Sequence, residues 1–283
     1  MSDSPAIVRR AFIPAAGLGT RLYPVTRAVP KELLPIGSVP LIHRAISECT
    51  RGGIHEIVLV ISPAKQAVAD YAREVCQDLG CDLVCVEQSQ PKGVGDAILL
   101  AEPHLAGEPF VFYMPDEVCF CPTSPIAALA DAYDRFRHPV LALTWLTPEV
   151  APFFQGTGRL ETEKLSDRHY RITALLDKVR DRFPVAESGS LKGVGIGVVD
   201  AGFVELLHQY RLQVKDDREF DDLPAWQHLV KTGQLFGALT TGLIIDAGNP
   251  SGFAAANYWW MTNKTSELLD LYRATFLLDA AMP

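Results

Sequence analysis

Along the first half of the chain the hydrophobic positions switch repeatedly between two periods. Residues 54–61 (IHEIVLVI) make a short apolar run of strand length, and residues 64–78 (AKQAVADYAREVCQD) space their apolar side chains three and four apart, the stripe of an amphipathic helix. The same alternation recurs on both sides of this pair. Residues 6–13, 81–87, 109–114 and 139–145 read as strands, while 40–52, 94–105 and 124–137 carry helical patterns. Strands separated by helices predict an α/β fold with a parallel sheet, because each helix supplies the crossover that a parallel pair needs and covers one face of the sheet.

The second half is less regular. Residues 151–190 contain Gly156, Gly158 and a charged stretch over 161–171, the pattern of a small β-hairpin insertion rather than another crossover. Apolar strands are expected at 191–199 and 235–246. Residues 257–281 suit a helical tail whose Trp259, Leu268, Leu269, Leu271 and Leu278 must pack on something, either the chain's own sheet or a second copy.

Composition removes several classes of function. The 283 residues are 48% hydrophobic and 21% charged, as in ordinary globular chains, with a formal net charge of -8. That balance carries no nucleic-acid footprint, which needs clustered Lys and Arg. No run of about 18 apolar residues is present to cross a membrane, and the opening residues lack a basic stretch followed by an apolar core, so a cytoplasmic location is expected. The cysteines (Cys49, Cys76, Cys81, Cys85, Cys119 and Cys121) form no matched C-x-x-C pairs, which argues for buried free thiols over zinc ligands or a disulfide framework.

Candidate chemistry concentrates in PAAGLGTRLYPVTRAVPKELLP, residues 14–35. The stretch follows a predicted strand, which puts it at the carboxyl edge of the sheet, where open α/β folds bind ligands. Gly17 and Gly19 let backbone N–H groups close on an anion, Arg21 adds a planar, permanently charged fork, and Lys31 adds a point charge framed by Pro30 and Pro35. Together they describe a polyphosphate cradle. A dinucleotide fingerprint would need a third glycine where Leu22 stands, and a Walker loop would need Ser or Thr where Glu32 follows Lys31. A plain surface loop leaves the conjunction of Thr20, Arg21, Pro30 and Lys31 unexplained.

Asp116 follows the apolar run PFVFYMP, so its carboxylate should emerge at the same edge, and Asp246 after GLII is the natural second ligand. Magnesium suits such a pair, since it takes one or two carboxylates plus phosphate oxygens. Glu117, beside Asp116, is left out of that set. Gln88 offers an amide that can donate or accept at a base edge, and Gly93 with Gly95 allows a second close backbone approach.

The order G-x-G-T-R then P-K resembles the signature of the sugar-1-phosphate nucleotidyltransferases, and its wording is most similar to their bacterial UTP–glucose-1-phosphate uridylyltransferase branch. The likeness continues in family order. QSQPKGVGDAIL (88–99) resembles the second nucleotide loop, MPDE (114–117) the metal-binding strand end, LLDKV (175–179) the sugar-phosphate lysine segment, and IIDAGNPSGF (244–253) the second metal-binding segment. The resemblance implies a Rossmann-like three-layer fold with a mixed, mostly parallel sheet. It implies one unit over residues 1–256, with a nucleotide part at about 6–150 and a sugar part at about 151–256; the apolar residues of the helical tail over 257–283 make it a candidate oligomer contact.

By the same resemblance Ala15, Ala16, Gly17, Gly19, Thr20, Arg21, Lys31, Gln88 and Gly93 bind the nucleotide, with Arg21 and Lys31 catalytic. Gly158, Asp177, Lys178 and Gly195 bind the sugar phosphate, and Asp116 with Asp246 holds Mg2+. Two departures stand out. Asp177 and Val179 flank the lysine where the family usually has Glu and Pro, and a family segment survives only in part as Glu219, Phe220, Asp221 and Asp222. The short link between the helix at 65–78 and the strand at 81 resembles the thymidylyltransferase layout. The implied reaction moves a uridylyl group from UTP to a hexose-1-phosphate, glucose-1-phosphate foremost, in a homo-oligomer (dimer or tetramer) that needs no nucleic acid or membrane. The nearest alternative is the same chemistry with dTTP or another triphosphate, or with another sugar or cyclitol phosphate. A nucleotide-binding protein without turnover is the more distant one.

Overall fold

The structure, a computed structural model, describes residues 8–105, 107–151, 154, 158–177, 183–215 and 218–262. The first half runs β1 (Arg10–Pro14), β2 (Pro35–Ile36), β3 (Val39–Pro40), α1 (Leu41–Arg51), β4 (Glu56–Ile61), α2 (Gln66–Leu79), β5 (Asp82–Glu87), α3 (Val94–Leu105), β6 (Phe110–Tyr113), β7 (Glu117–Phe120) and α4 (Pro125–Phe136). The second half runs β8 (Val140–Leu146), β9 (Arg159–Lys164), β10 (His169–Leu176), β11 (Ser190–Val199), α5 (Ala201–Arg211), α6 (Leu223–Lys231), β12 (Phe236–Leu239) and β13 (Leu243–Asp246). Nine of these strands form the central sheet, in the order β5-β4-β1-β6-β11-β8-β12-β10-β9.

Strand alternation sorts the side chains into two cores. Ala11 and Ile13 of β1 join Ile57 and Leu59 of β4 on the face covered by α1, α2 and α4, whereas Phe12, Val58 and Val60 join the face covered by α3, α5 and α6. Each fully buried aliphatic or aromatic side chain contributes roughly 1.5–3 kcal/mol relative to exposure, so the two faces hold the sheet from both sides. The stripe read from the sequence is the one α2 buries, through Val68, Ala69, Ala72, Val75 and Cys76, and Gly80 ends that helix in the left-handed region (φ 68).

Only half of the strand pairing in the central sheet is parallel, which corrects the mostly parallel sheet expected. β5, β4, β1 and β6 run parallel, as do β8 and β12, but β11 lies antiparallel between β6 and β8, and β10 antiparallel between β12 and β9. From β8 to β11 the described chain has no intervening helix. β11 pairs with β6 and β8, neither of which is its neighbour in the chain, so its direction is set by the tertiary path and not by a local connection. The hairpin expected as an insertion is β9–β10, which extends the central sheet as its edge.

The single strand expected at 235–246 is two strands in different sheets: β12 stays in the central sheet, and β13 leaves it to pair antiparallel with β7. Gly242 makes the break. Its φ is 113, and a Cβ there would lie 2.5 Å from the Phe120 carbonyl oxygen. Residues 250–262 are helical, with Trp259 and Trp260 packed against a third core that includes Ile36, Leu41 and Ile245. The remaining tail positions, Leu268, Leu269, Leu271 and Leu278, lie outside the described residues, as do residues 6 and 7 of the opening run. All six cysteines are free thiols, buried or partly buried. Among the described residues no helix is long and apolar enough to cross a membrane.

Candidate active site

The cradle loop leaves β1 already anchored. The Ala15 N–H donates to the Val60 carbonyl at 2.7 Å, and beneath the loop the Lys65 ammonium donates to the carbonyls of Ala15 (2.7 Å) and Gly17 (2.5 Å) and to Glu32 Oε2 (2.8 Å). One buried lysine thus ties the start of the loop to the segment that carries Lys31. Gly19 sits at φ 66, and its carbonyl accepts from Thr26 Oγ1 at 2.8 Å, closing the turn. A Cβ on Gly17 would meet no protein atom within 4 Å, so the room that this glycine leaves belongs to the cleft.

That cleft has a volume of about 460 Å3 and is walled by Ala16, Gly17, Thr20, Lys31, Gln88 and Gly93 of the expected nucleotide set, together with Pro14, Leu18, Pro91, Val94, Ala97, Met114 and Glu219. Ala15 is fully buried and stands behind the wall, where its peptide group serves as an anchor. Gln88 donates through Nε2 to the Gly93 carbonyl (3.1 Å) and to Asp96 Oδ2 (2.8 Å).

The β7–β13 pairing brings the two aspartates together. Asp246 lies opposite Glu117 in that ladder, and the Ala247 N–H donates to the Asp116 carbonyl at 2.8 Å. Arg21 then bridges both carboxylates, Nη1 donating to Asp246 Oδ2 at 3.1 Å and Nη2 to Asp116 Oδ2 at 3.4 Å, while Lys31 Nζ donates to Asp116 Oδ2 at 2.9 Å. Burial would raise the Asp116 carboxyl, but Lys31 and Arg21 overcome it and hold the group below its ordinary value. Burial likewise works against both cations, and Asp116, with Asp246 for Arg21 and Glu32 for Lys31, raises each above its ordinary value. Two cations and two carboxylates neutralise one another at this rim.

The donor set fits a small divalent cation. A Cβ on Gly248 would run into Asp116 Oδ2 and Arg21 Nη2, so these two side chains can sit where they do only because residue 248 lacks a side chain. Among the described residues no group of three or more His, Cys, Asp or Glu is arranged to hold a metal. An ion on these two carboxylates would complete its shell from phosphate oxygens and water, the habit of magnesium.

A second cleft of about 530 Å3 gathers Gly158, Asp177 and Gly195 with Leu141, Leu160, Leu175 and Trp226. It adjoins the first where Met114, a wall of the nucleotide cleft, donates its N–H to the Gly195 carbonyl at 2.8 Å. Gly195 also has a packing reason to be glycine, because a Cβ there would lie 2.7 Å from Met114 Cγ. Lys178 lies outside the described residues.

Three site features were missed in the sequence. Lys65 and Glu32 gave no signal, since a lysine near the start of a helix and a glutamate after Lys31 both look solvated. Glu117 was visible beside Asp116 in MPDE. It is buried, its Oε1 accepts from the Gly195 N–H at 2.7 Å, and its Oε2 has no partner. Burial pushes its carboxyl up to about 7, with Asp246 and Asp116 adding to the rise and Lys192 opposing it.

Residues 10–149 match the sequence profile of the family described as nucleotidyl transferase. A Bacillus subtilis (strain 168) protein provisionally assigned as a UTP–glucose-1-phosphate uridylyltransferase is 30% identical over 199 residues, 63% of this chain and 71% of that one. A UTP–glucose-1-phosphate uridylyltransferase of Mycoplasma genitalium is 26% identical over 94% of this chain and 99% of its own. The crystal structure of a UDP-glucose pyrophosphorylase complexed with UDP-glucose superposes with a TM-score of 0.74 at 24% identity, covering 90% of this chain and 99% of the other. At that identity the superposition speaks for the fold.

Proposed function

The chain belongs to the sugar-1-phosphate nucleotidyltransferase family, and from that premise we propose that it transfers a uridylyl group from UTP to a hexose-1-phosphate, glucose-1-phosphate foremost, with release of pyrophosphate. The observation that carries this reading is the Arg21 fork resting on both Asp116 and Asp246 at the rim of a cleft walled by Gly17, Lys31 and Gln88. A phosphate oxygen of the sugar attacks the α-phosphorus of UTP, the bond from that phosphorus to the bridging oxygen breaks, and the electron pair leaves with pyrophosphate. The nucleophile is already an anion, so no general base is required.

This chain's residues therefore work by positioning and by charge. Arg21 and Lys31 exchange their carboxylate partners for triphosphate oxygens, a short move for two side chains already at the rim. A divalent cation on Asp116 and Asp246, when bound, supplies positive charge to the same phosphates. Asp177, with Gly158 and Gly195 in the adjoining cleft, faces the sugar, and Lys178 holds its phosphate. The sugar and the base are the parts of this reading to test.

The test is pyrophosphate release from UTP, dTTP and CTP against a set of hexose and cyclitol phosphates. UTP with glucose-1-phosphate is expected to give the highest kcat/KM, and Lys31→Ala or Asp116→Ala to lower it about a hundredfold or more. Full turnover in either variant, or tight UTP binding with no product from any acceptor, overturns the reading.

A further inference from the structure

Resting on the nucleotidyl-transfer reading above, we propose that Asp96 is a positioning residue for base selection. Its carboxylate holds the Gln88 amide so that Oε1 faces the cleft, which admits a base with an imide N–H, uracil or thymine, and rejects cytosine. Gln88 is only 4% exposed, and its own N–H donates to the Ile61 carbonyl at 2.8 Å, so its backbone has little freedom. Its Nε2 donates to Asp96 Oδ2 at 2.8 Å and to the Gly93 carbonyl at 3.1 Å.

Neither partner can donate a hydrogen bond back. A carboxylate and a peptide carbonyl accept only, so the NH2 end of the amide must lie on their side, which settles the oxygen and nitrogen positions by chemistry. Both amide hydrogens are then committed, and what Gln88 has left for the cleft is the pair of lone pairs on Oε1. Uracil and thymine carry an N–H between two carbonyls that can donate to this oxygen. Cytosine presents a ring nitrogen with its own lone pair, and the two acceptors would face each other in a buried place with neither satisfied.

The frame around the amide is stiff. Asp96 lies in the first turn of α3, the Gly95 N–H donates to the Phe220 carbonyl at 3.1 Å, and any Cβ on Gly93 would collide with the Phe220 backbone. Asparagine at 96 would change one thing, because its amide can accept from or donate to Gln88. Only the Gly93 carbonyl would then oppose a turned glutamine, so a fraction of the molecules would offer the Gln88 NH2 to the cleft.

The experiment compares kcat/KM for UTP, dTTP and CTP with glucose-1-phosphate in the wild type, Asp96→Asn and Asp96→Glu, alongside calorimetric Kd values for the three triphosphates alone. The wild type should favour UTP or dTTP over CTP by about a thousandfold or more. In Asp96→Asn that ratio should fall at least about tenfold, with kcat/KM for CTP rising outright and the KM for UTP rising more than its kcat falls. A merely damaged loop would not improve CTP. Asp96→Glu, still an acceptor only, should stay near the wild-type ratio, and Asp96→Ser, whose hydroxyl gives and takes a hydrogen bond, repeats the comparison should the Asn variant not fold. Equal losses for UTP and CTP in Asp96→Asn, or a wild type that uses CTP as well as UTP, overturns the proposal. If no triphosphate is turned over at all, the transfer reading falls by itself, and the calorimetric preference for UTP over CTP, lost or kept in Asp96→Asn, decides this one.

Discussion

Replacing Lys65 by methionine removes the ammonium beneath the cradle while keeping a chain of similar length. The structure indicates what is lost: three hydrogen bonds, to the carbonyls of Ala15 and Gly17 and to Glu32 Oε2, and the counter-charge of a glutamate that is 0% exposed. Glu32 Oε1 already has no hydrogen-bond partner, so after the substitution neither carboxylate oxygen keeps one and only the charge of Lys31 remains nearby. Burial pushes Glu32 up and Lys65 down, each opposed by the other's charge, so the intact pair is a modest contributor and the broken pair a costly one. Stranding a buried partner costs about 3–5 kcal/mol, against roughly 5–15 kcal/mol for a typical domain. Urea unfolding of Lys65→Met should show a loss of that size. Adding Glu32→Gln should return about half of it, because a neutral amide is cheaper to bury than an unpaired carboxylate. The KM for UTP should rise in both variants, since the carbonyls that shape the loop stay unanchored. A loss below about 1 kcal/mol in Lys65→Met, or a Glu32→Gln change that merely adds its own penalty, would refute the clamp.

Two further outcomes test the metal rim. Glu117 is held at about 7 in the folded chain against 4.5 ordinarily, so the folded state binds the proton more tightly; the stability this contributes is complete below pH 4.5 and is lost as pH rises through 7. In metal-free buffer the wild type should therefore lose about 3 kcal/mol between pH 4.5 and 8 that Glu117→Gln does not lose, as read from urea midpoints, and parallel curves would contradict it. Gly248→Ala should cut Mg2+-dependent pyrophosphate release about a hundredfold, because the added methyl displaces Asp116 and Arg21. An unchanged magnesium titration would separate the two aspartates from the reaction.

Local features of this chain were readable before any coordinates. The strand at 54–61 and the helix at 64–78 are set by neighbours a few residues apart, and β4 and α2 lie within one or two residues of those bounds. The loop at 14–35 stood out for the same reason: Gly17, Gly19, Thr20, Arg21 and Lys31 sit close enough in sequence to be read together, and the fold puts Gly17, Thr20 and Lys31 on the wall of one cleft.

What only the tertiary structure decided was partnership across long separations. The apolar run at 191–199 has the same pattern whichever way it points, and only its place between β6 and β8 makes β11 antiparallel. The run at 235–246 gave no warning that Gly242 would send its second half to β7, the step that sets Asp246 beside Asp116. A side chain's polarity is a property of the residue, but whether a lysine is solvated or clamps a loop depends on which groups surround it. For Lys65 and Glu32, 33 residues apart, those surroundings exist only once the sheet has closed over them.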